Sequence, residues 1–127
     1  MTLKTAALGK EGEEFALRFL ESEGYRIRER NFKNKMGEMD IVALDKNTIC
    51  FIEVKTRTSE LFGSPFEAVS RAKQHKLSQV ALSYLKAKNL LGEKARFDIV
   101  SITKNAAGAY EAALLQDAFE LSRPYAY

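Results

Sequence analysis

Two carboxylates and an ammonium group stand at chemically informative spacings in this 127-residue chain. Asp40 lies in Gly37-Glu38-Met39-Asp40-Ile41-Val42, while Glu53 and Lys55 lie in Phe51-Ile52-Glu53-Val54-Lys55-Thr56-Arg57. Hydrolysis of a phosphodiester needs a hard cation held by carboxylates, an activated water and positive charge near the developing anion. Asp40 and Glu53 are candidate ligands for Mg2+ or Mn2+, leaving coordination positions for water and a phosphate oxygen. Lys55 has two readings that spacing does not separate. It orients or deprotonates the water, or it neutralises the pentavalent transition state. A bare Glu-x-Lys pair is common by chance on exposed strands. Here Phe51, Ile52 and Val54 surround it, and charge in a core strand is costly unless it is paired or metal-bound.

Strands are needed to position these groups. Residues i and i+2 share one strand face, so Glu53 and Lys55 project together, as do Glu38 and Asp40. The pattern predicts strands over Glu38–Leu44 and Thr48–Lys55, joined by a turn at Asp45-Lys46-Asn47, which brings Asp40 near Glu53. In the second strand Cys50, Ile52 and Val54 point one way, and Ile49, Phe51, Glu53 and Lys55 the other. Upstream, Leu8, Phe15, Ala16, Phe19 and Leu20 mark a helix from about Thr5 to Glu23, with Gly24 as its stop. Tyr25 and Ile27 alternate with Arg26, Arg28 and Arg30 in a half-buried strand with a basic outer face, followed by a polar turn from Asn31 to Gly37. Downstream, Thr56 to Gly63 reads as a loop. Ser64-Pro65-Phe66-Glu67 is a capping box opening a helix to about Lys88, with Phe66, Val69, Leu77, Val80, Ala81 and Tyr84 as its apolar stripe. Arg96–Thr103 is a further strand and Tyr110–Leu115 a weaker last one. The order is α-β-β-β-α-β-β. A hairpin followed by a crossover helix predicts a mixed central sheet flanked by helices in an α/β fold.

The length suits one domain over residues 1–127, and 46% hydrophobic with 29% charged residues argues against general disorder. No apolar run would span a bilayer, and the N-terminal segment lacks the apolar stretch of a signal peptide. The single cysteine, Cys50, has no internal disulfide partner and falls in an apolar run, which predicts a buried, inert thiol. These features together predict a cytoplasmic protein without a membrane partner. The net charge of +3 is unevenly spread. Arg26, Arg28, Arg30, Lys33 and Lys35 face Glu29 alone, and the stretch from Arg71 to Lys104 opposes its many cations with only Glu93 and Asp98. Segregated positive charge suits a polyanion surface, although charge alone does not separate that from a solvated face.

Taken together, Asp40, a hairpin and Glu53-Val54-Lys55 form the signature of the PD-(D/E)XK nuclease superfamily. More narrowly, the chain resembles the YraN-like family of predicted endonucleases, small bacterial proteins related in fold to archaeal Holliday junction resolvases. The matching stretches are Gly9-x-x-Gly12-Glu13-x-x-Ala16, Gly37-Glu38-x-Asp40, Phe51-x-Glu53-Val54-Lys55-x-Arg57 and Arg96-Phe97-Asp98-Ile99-Val100. Met39 stands where that family more often shows isoleucine, and the segment from Lys104 carries little that matches. The resemblance implies a restriction-endonuclease-like core and a metal-dependent nuclease. It also implies that Glu13, on the first helix, joins Asp40 and Glu53 at the metal. Junction resolvases of this fold work as dimers, which raises the expectation of a homodimer.

The functional expectation is an Mg2+- or Mn2+-dependent endonuclease acting on DNA, including structured or branched DNA in repair or recombination. Asp40, Glu53, Lys55 and Glu13 are its catalytic candidates. Arg57, Lys33, Lys35, Arg71, Lys73 and Lys76 are candidates for holding the nucleic acid. The alternative is a nuclease-fold accessory protein that binds nucleic acid without robust catalysis; a blander one is a structural charge cluster with a basic face for an acidic protein. Glu38 has two readings, as a site carboxylate or as a partner for a nearby cation. Gln74 lies on the helix that follows the active-site strand in this superfamily, where a polar side chain reaches the site. His75 is expected to face solvent and Asp98 to be structural, paired with Arg96 or Arg57. Tyr25, Phe32 and Phe62 are assigned to packing before base stacking.

Overall fold

A computed structural model describes residues 3–58 and 69–121. Helix α1 (Leu3–Ser22) ends where Gly24 takes a φ of +95°, and the Tyr25 amide donates back to the Leu20 carbonyl at 3.0 Å. That left-handed position is the one glycine fills without a Cβ penalty, and it turns the chain so that Tyr25 is buried at once. Strands β1 (Arg26–Asn34), β2 (Gly37–Asp45) and β3 (Thr48–Thr58) follow as an antiparallel meander. Helix α2 (Arg71–Ala87) crosses over to β4 (Ala95–Lys104), which runs parallel to β3, and β5 (Tyr110–Phe119) returns antiparallel. Among the described residues five strands lie in chain order, the parallel β3–β4 pair makes the sheet mixed, and the element order is the one predicted.

Each sheet face carries its own core. Leu17 and Leu20 of α1 pack with Ile41, Cys50, Ile52, Val100 and Ile102 on one face. Leu77, Val80, Tyr84 and Leu85 of α2 pack with Val42, Ile49, Phe51 and Phe97 on the other. The predicted alternation of β3 is therefore observed, since Ile49 and Phe51 enter one core and Cys50 and Ile52 the other. Full burial of a Leu or Phe side chain is worth roughly 1.5–3 kcal/mol each, and Phe51, Leu20 and Ile52 are all essentially inaccessible. The Cys50 thiol is buried as expected, and burial pushes its pKa up to about 12.

Boundaries differ from the sequence expectation in several places, and β5 runs on to Phe119 rather than ending at Leu115 because β4 pairs with it that far. β1 continues through Asn34, so the polar turn shrinks to Lys35 and Met36; Phe32 gives this stretch an apolar anchor against the α2-side core. β3 runs on through Thr56, Arg57 and Thr58, because β4 offers a parallel ladder as far as Thr58↔Lys104. α2 starts at Arg71, with Ser70 as N-cap accepting the Lys73 amide at 3.1 Å. The Ser64–Glu67 capping box, Phe62 and the remainder of the expected loop lie outside the described residues. Among the described residues no helix is long and apolar enough to cross a membrane.

α1 lies tightly on β3. A Cβ placed on Gly12 would stand 2.4 Å from Thr56 Oγ1 and 2.7 Å from Thr56 Cγ2, a separation that only the absent side chain permits. This contact sets the height of the helix over the sheet at the turn that carries Glu13.

Candidate active site

Asp40 sits where the sheet comes apart. β2 and β3 are paired from Asp45↔Thr48 to Ile41↔Ile52, and the pairing stops there. Beyond that point the Val54 amide donates to Asp40 Oδ2 at 2.8 Å, so a side chain takes the place of a ladder carbonyl. On the other flank Asn31, at a φ of +52°, falls between the pairs Arg30↔Ile41 and Phe32↔Met39. Alternation along β2 breaks at the same place: Met39 enters the α2-side core and Ile41 the α1-side core. Consequently Asp40 lines a small crevice with Glu13, Leu17, Arg30 and Val54, and also a cleft of about 460 Å3 with Glu53, Lys73 and Lys76.

Asp40 and Glu53 meet in that cleft. Each shifts the acidity of the other, and the Glu53 side chain is only 15% exposed. Burial, and then the Asp40 charge, lift the Glu53 pKa above its ordinary value, with Lys73 and more weakly Lys55 opposing. Asp40 is also raised, by burial first, while the Val54 amide and Lys73 pull it down. Two partly desolvated carboxylates in contact favour sharing a proton or binding a cation. In this structure Lys73 Nζ supplies positive charge, 3.3 Å from Glu53 Oε1.

Glu13 approaches from the other face of the sheet, through the α1-side crevice. Its pKa is raised by burial and then by Asp40, and Arg30 opposes this. Among the described residues no three Asp, Glu, His or Cys side chains gather as a ready metal cage. Of the three carboxylates implied by the resemblance, Asp40 and Glu53 line one cleft, and Glu13 lines the crevice on the other side of Asp40. Lys55 and Arg57 follow Glu53 on the same strand face, both half-buried. Of the expected nucleic-acid contacts, Lys33, Lys73 and Lys76 line the cleft; Lys35 and Arg71 are exposed and do not line it.

Glu38 lines the cleft as well, among both its carboxylates and its lysines. The Gln74 amide instead donates to the Val69 carbonyl at 2.8 Å, securing the entry to α2. His75 is exposed, within 3.3 Å of Gln79. Asp98 is structural, as expected. It is 1% exposed and accepts from Tyr25, Arg96 and the Asp117 amide, and Arg96 also reaches Asp45 at 2.7 Å. The direct Lys73–Glu53 ion pair was not foreseen from sequence. Its one signal was topological: a crossover helix begins near the carboxyl end of the strand that precedes it.

These features define an α/β protein whose mixed sheet opens around a carboxylate pair in a lysine-lined cleft. A family model described as "Uncharacterised protein family UPF0102" matches residues 12–102, a span that takes in Glu13, Asp40, Glu53, Lys55 and Lys73. A UPF0102 protein of Syntrophus aciditrophicus is 45% identical over 114 residues, covering 90% of this chain and 89% of its own. One from Geotalea uraniireducens is 45% identical over 116 residues, 91% of each, and one from Geobacter metallireducens 48% over 103 residues, 81% of this chain and 84% of its own. The chain belongs to the UPF0102, or YraN-like, family, as its motifs implied.

Proposed function

We propose that this protein is a metal-dependent endonuclease that cleaves phosphodiester bonds in cytoplasmic DNA, with Asp40 and Glu53 as its metal ligands. The observation that carries the reading is the interrupted β2–β3 ladder, beside which two largely buried carboxylates line one cleft with Lys33, Lys73 and Lys76. Mg2+ characteristically takes one or two carboxylates and keeps waters and phosphate oxygens for the rest of its shell, so this pair fits it without a third protein ligand. A bound Mg2+ or Mn2+ would supply Lewis acidity and a more acidic water. Val54 fixes the Asp40 carboxylate through its amide. Lys55, sharing the Glu53 strand face, orients the attacking water or stabilises charge on the phosphorane. Glu13 adds negative charge behind Asp40. The cleft lysines hold the phosphate backbone, and symmetric cutting of a branched substrate would bring two copies of the chain together.

Two observations favour the accessory reading, in which the fold binds nucleic acid without robust turnover. The described residues form no three-carboxylate set, and Lys73 already neutralises Glu53. A cleavage assay on linear, nicked, flap and four-way-junction DNA with Mg2+ or Mn2+ separates the two. Cutting that disappears in both Asp40→Ala and Glu53→Ala supports the nuclease. Salt-dependent binding with no cutting in either metal supports the accessory protein.

A further inference from the structure

The Lys73–Glu53 ion pair joins two unequal partners. The Glu53 side chain is 15% exposed and fixed on a core strand, whereas that of Lys73 is 54% exposed at the start of a helix. If the pair opens, the lysine is the partner that moves, and water solvates it readily. Its position also runs against the helix field. With Ser70 as N-cap, Arg71 and Lys73 occupy the first turn of α2, which contains no acidic residue, although the helix dipole favours anions there. Both cations are therefore placed for an external negative charge, and Lys73 finds one in Glu53. Lys76, three residues on along the same helix face, and Lys33 line the same cleft, so a phosphate there would meet several ammonium groups.

We infer that Lys73 is an exchangeable counter-ion of the Asp40–Glu53 pair, displaced by a divalent cation and taken up by a DNA phosphate, so that metal loading and backbone binding promote one another. This rests on the metal-dependent reading above. It adds that Lys73 has two partners and that the cation decides between them. Because linkage is reciprocal, whatever the cation adds to DNA affinity, DNA adds to cation affinity.

The test uses the full chain and two binding measurements. Calorimetry with Mn2+ alone compares the wild type with Lys73→Met, Lys73→Gln and the cleft control Lys76→Met. Removing the competing ammonium is expected to tighten Mn2+ binding by at least about fivefold in both Lys73 variants, the lower end of ordinary site-to-site coupling. Lys76→Met changes it far less. Fluorescence anisotropy on a short duplex, with and without Ca2+, then reads the other half: Ca2+ strengthens binding by the wild type, and this gain shrinks in the Lys73 variants. Mn2+ affinity in the Lys73 variants equal to that of Lys76→Met, or an undiminished Ca2+ gain, overturns the inference and leaves the nuclease reading standing. A wild-type chain that binds no Mn2+ overturns the nuclease reading itself, and the inference with it.

Discussion

Val54 gives its amide proton to Asp40 Oδ2 across 2.8 Å at the point where β2 and β3 cease to pair. The bond makes Asp40 both a structural acceptor and a chemical group, and its two roles respond differently to substitution. Asp40→Asn keeps an acceptor for Val54 but loses the charge; Asp40→Ala loses both. Both variants are expected to abolish cleavage. Asp40→Ala should also be less stable than Asp40→Asn by about 1–3 kcal/mol, the usual penalty for a stranded buried amide. Urea unfolding of the two variants side by side measures this.

Stability should depend on pH and cation together. Asp40 and Glu53 are held above their ordinary pKa values of 3.8 and 4.5. A raised folded pKa contributes stability that is fully present below the unfolded value and is lost as pH rises through the folded one. The cation-free protein should therefore lose stability as pH climbs above that range, with Asp40→Asn showing a shallower loss. Mg2+ held by the ionised pair should raise Tm at about pH 7.5 and have little effect near pH 4. Thermal melts over a pH series with and without Mg2+ test this, and an equal Mg2+ effect at both ends would count against the site.

The Gly12–Thr56 contact predicts a coupled pair. Gly12→Ala puts a methyl carbon against the stiff, β-branched Thr56 and should cost about 1–3 kcal/mol as α1 lifts from the sheet. Thr56→Ala removes the two closest atoms, Oγ1 and Cγ2, and leaves the Thr56 Cβ at 3.1 Å. The double variant should thus recover most of the loss, and denaturation of all four proteins in a mutant cycle gives the coupling directly.

Arg96 is expected to matter for folding rather than for chemistry. Arg96→Met leaves Asp98, 1% exposed, without its guanidinium and should cost about 3–5 kcal/mol. The fraction that remains folded should cut DNA at the normal rate, since the network joins Tyr25, Asp45 and Asp98, none of which lines the cleft. Specific activity normalised to folded protein by circular dichroism decides it.

Salt dependence reports on the cleft lysines. Lys33→Ala and Lys76→Ala should each reduce the slope of log affinity against log salt by about 0.9 on duplex DNA, with little change in stability. Exposed Lys35, outside the cleft, should change the slope less.

Most of this architecture was legible because apolar side chains announce which way a strand faces. Ile49 and Phe51 against Cys50 and Ile52 revealed a strand buried on both faces, and Gly24 marked the end of α1. The second half of β1 was hidden, because Asn31, Lys33 and Asn34 look like a turn; an edge strand needs only the one anchor that Phe32 provides. The start of α2 was misplaced for a related reason. Ser64–Glu67 has the full capping pattern, whereas Ser70 caps a turn bearing Arg71 and Lys73 where acids are usual. At the site, Asp40, Glu53 and Lys55 stood out through spacing on paired strands. The parting of those strands and the arrival of Lys73 depend on how α2 crosses the sheet, which no local pattern encodes.

The place where Asp40 stands makes the sheet a wall with a window in it. The carboxylate lines a water-sized crevice on the α1 side and the cleft on the other, so the two surfaces of the protein share one chemical group while having separate cores. A change of charge at Asp40 is therefore felt on both surfaces at once: the acidity of Glu13 on the α1 side answers to it, and so does that of Glu53 in the cleft.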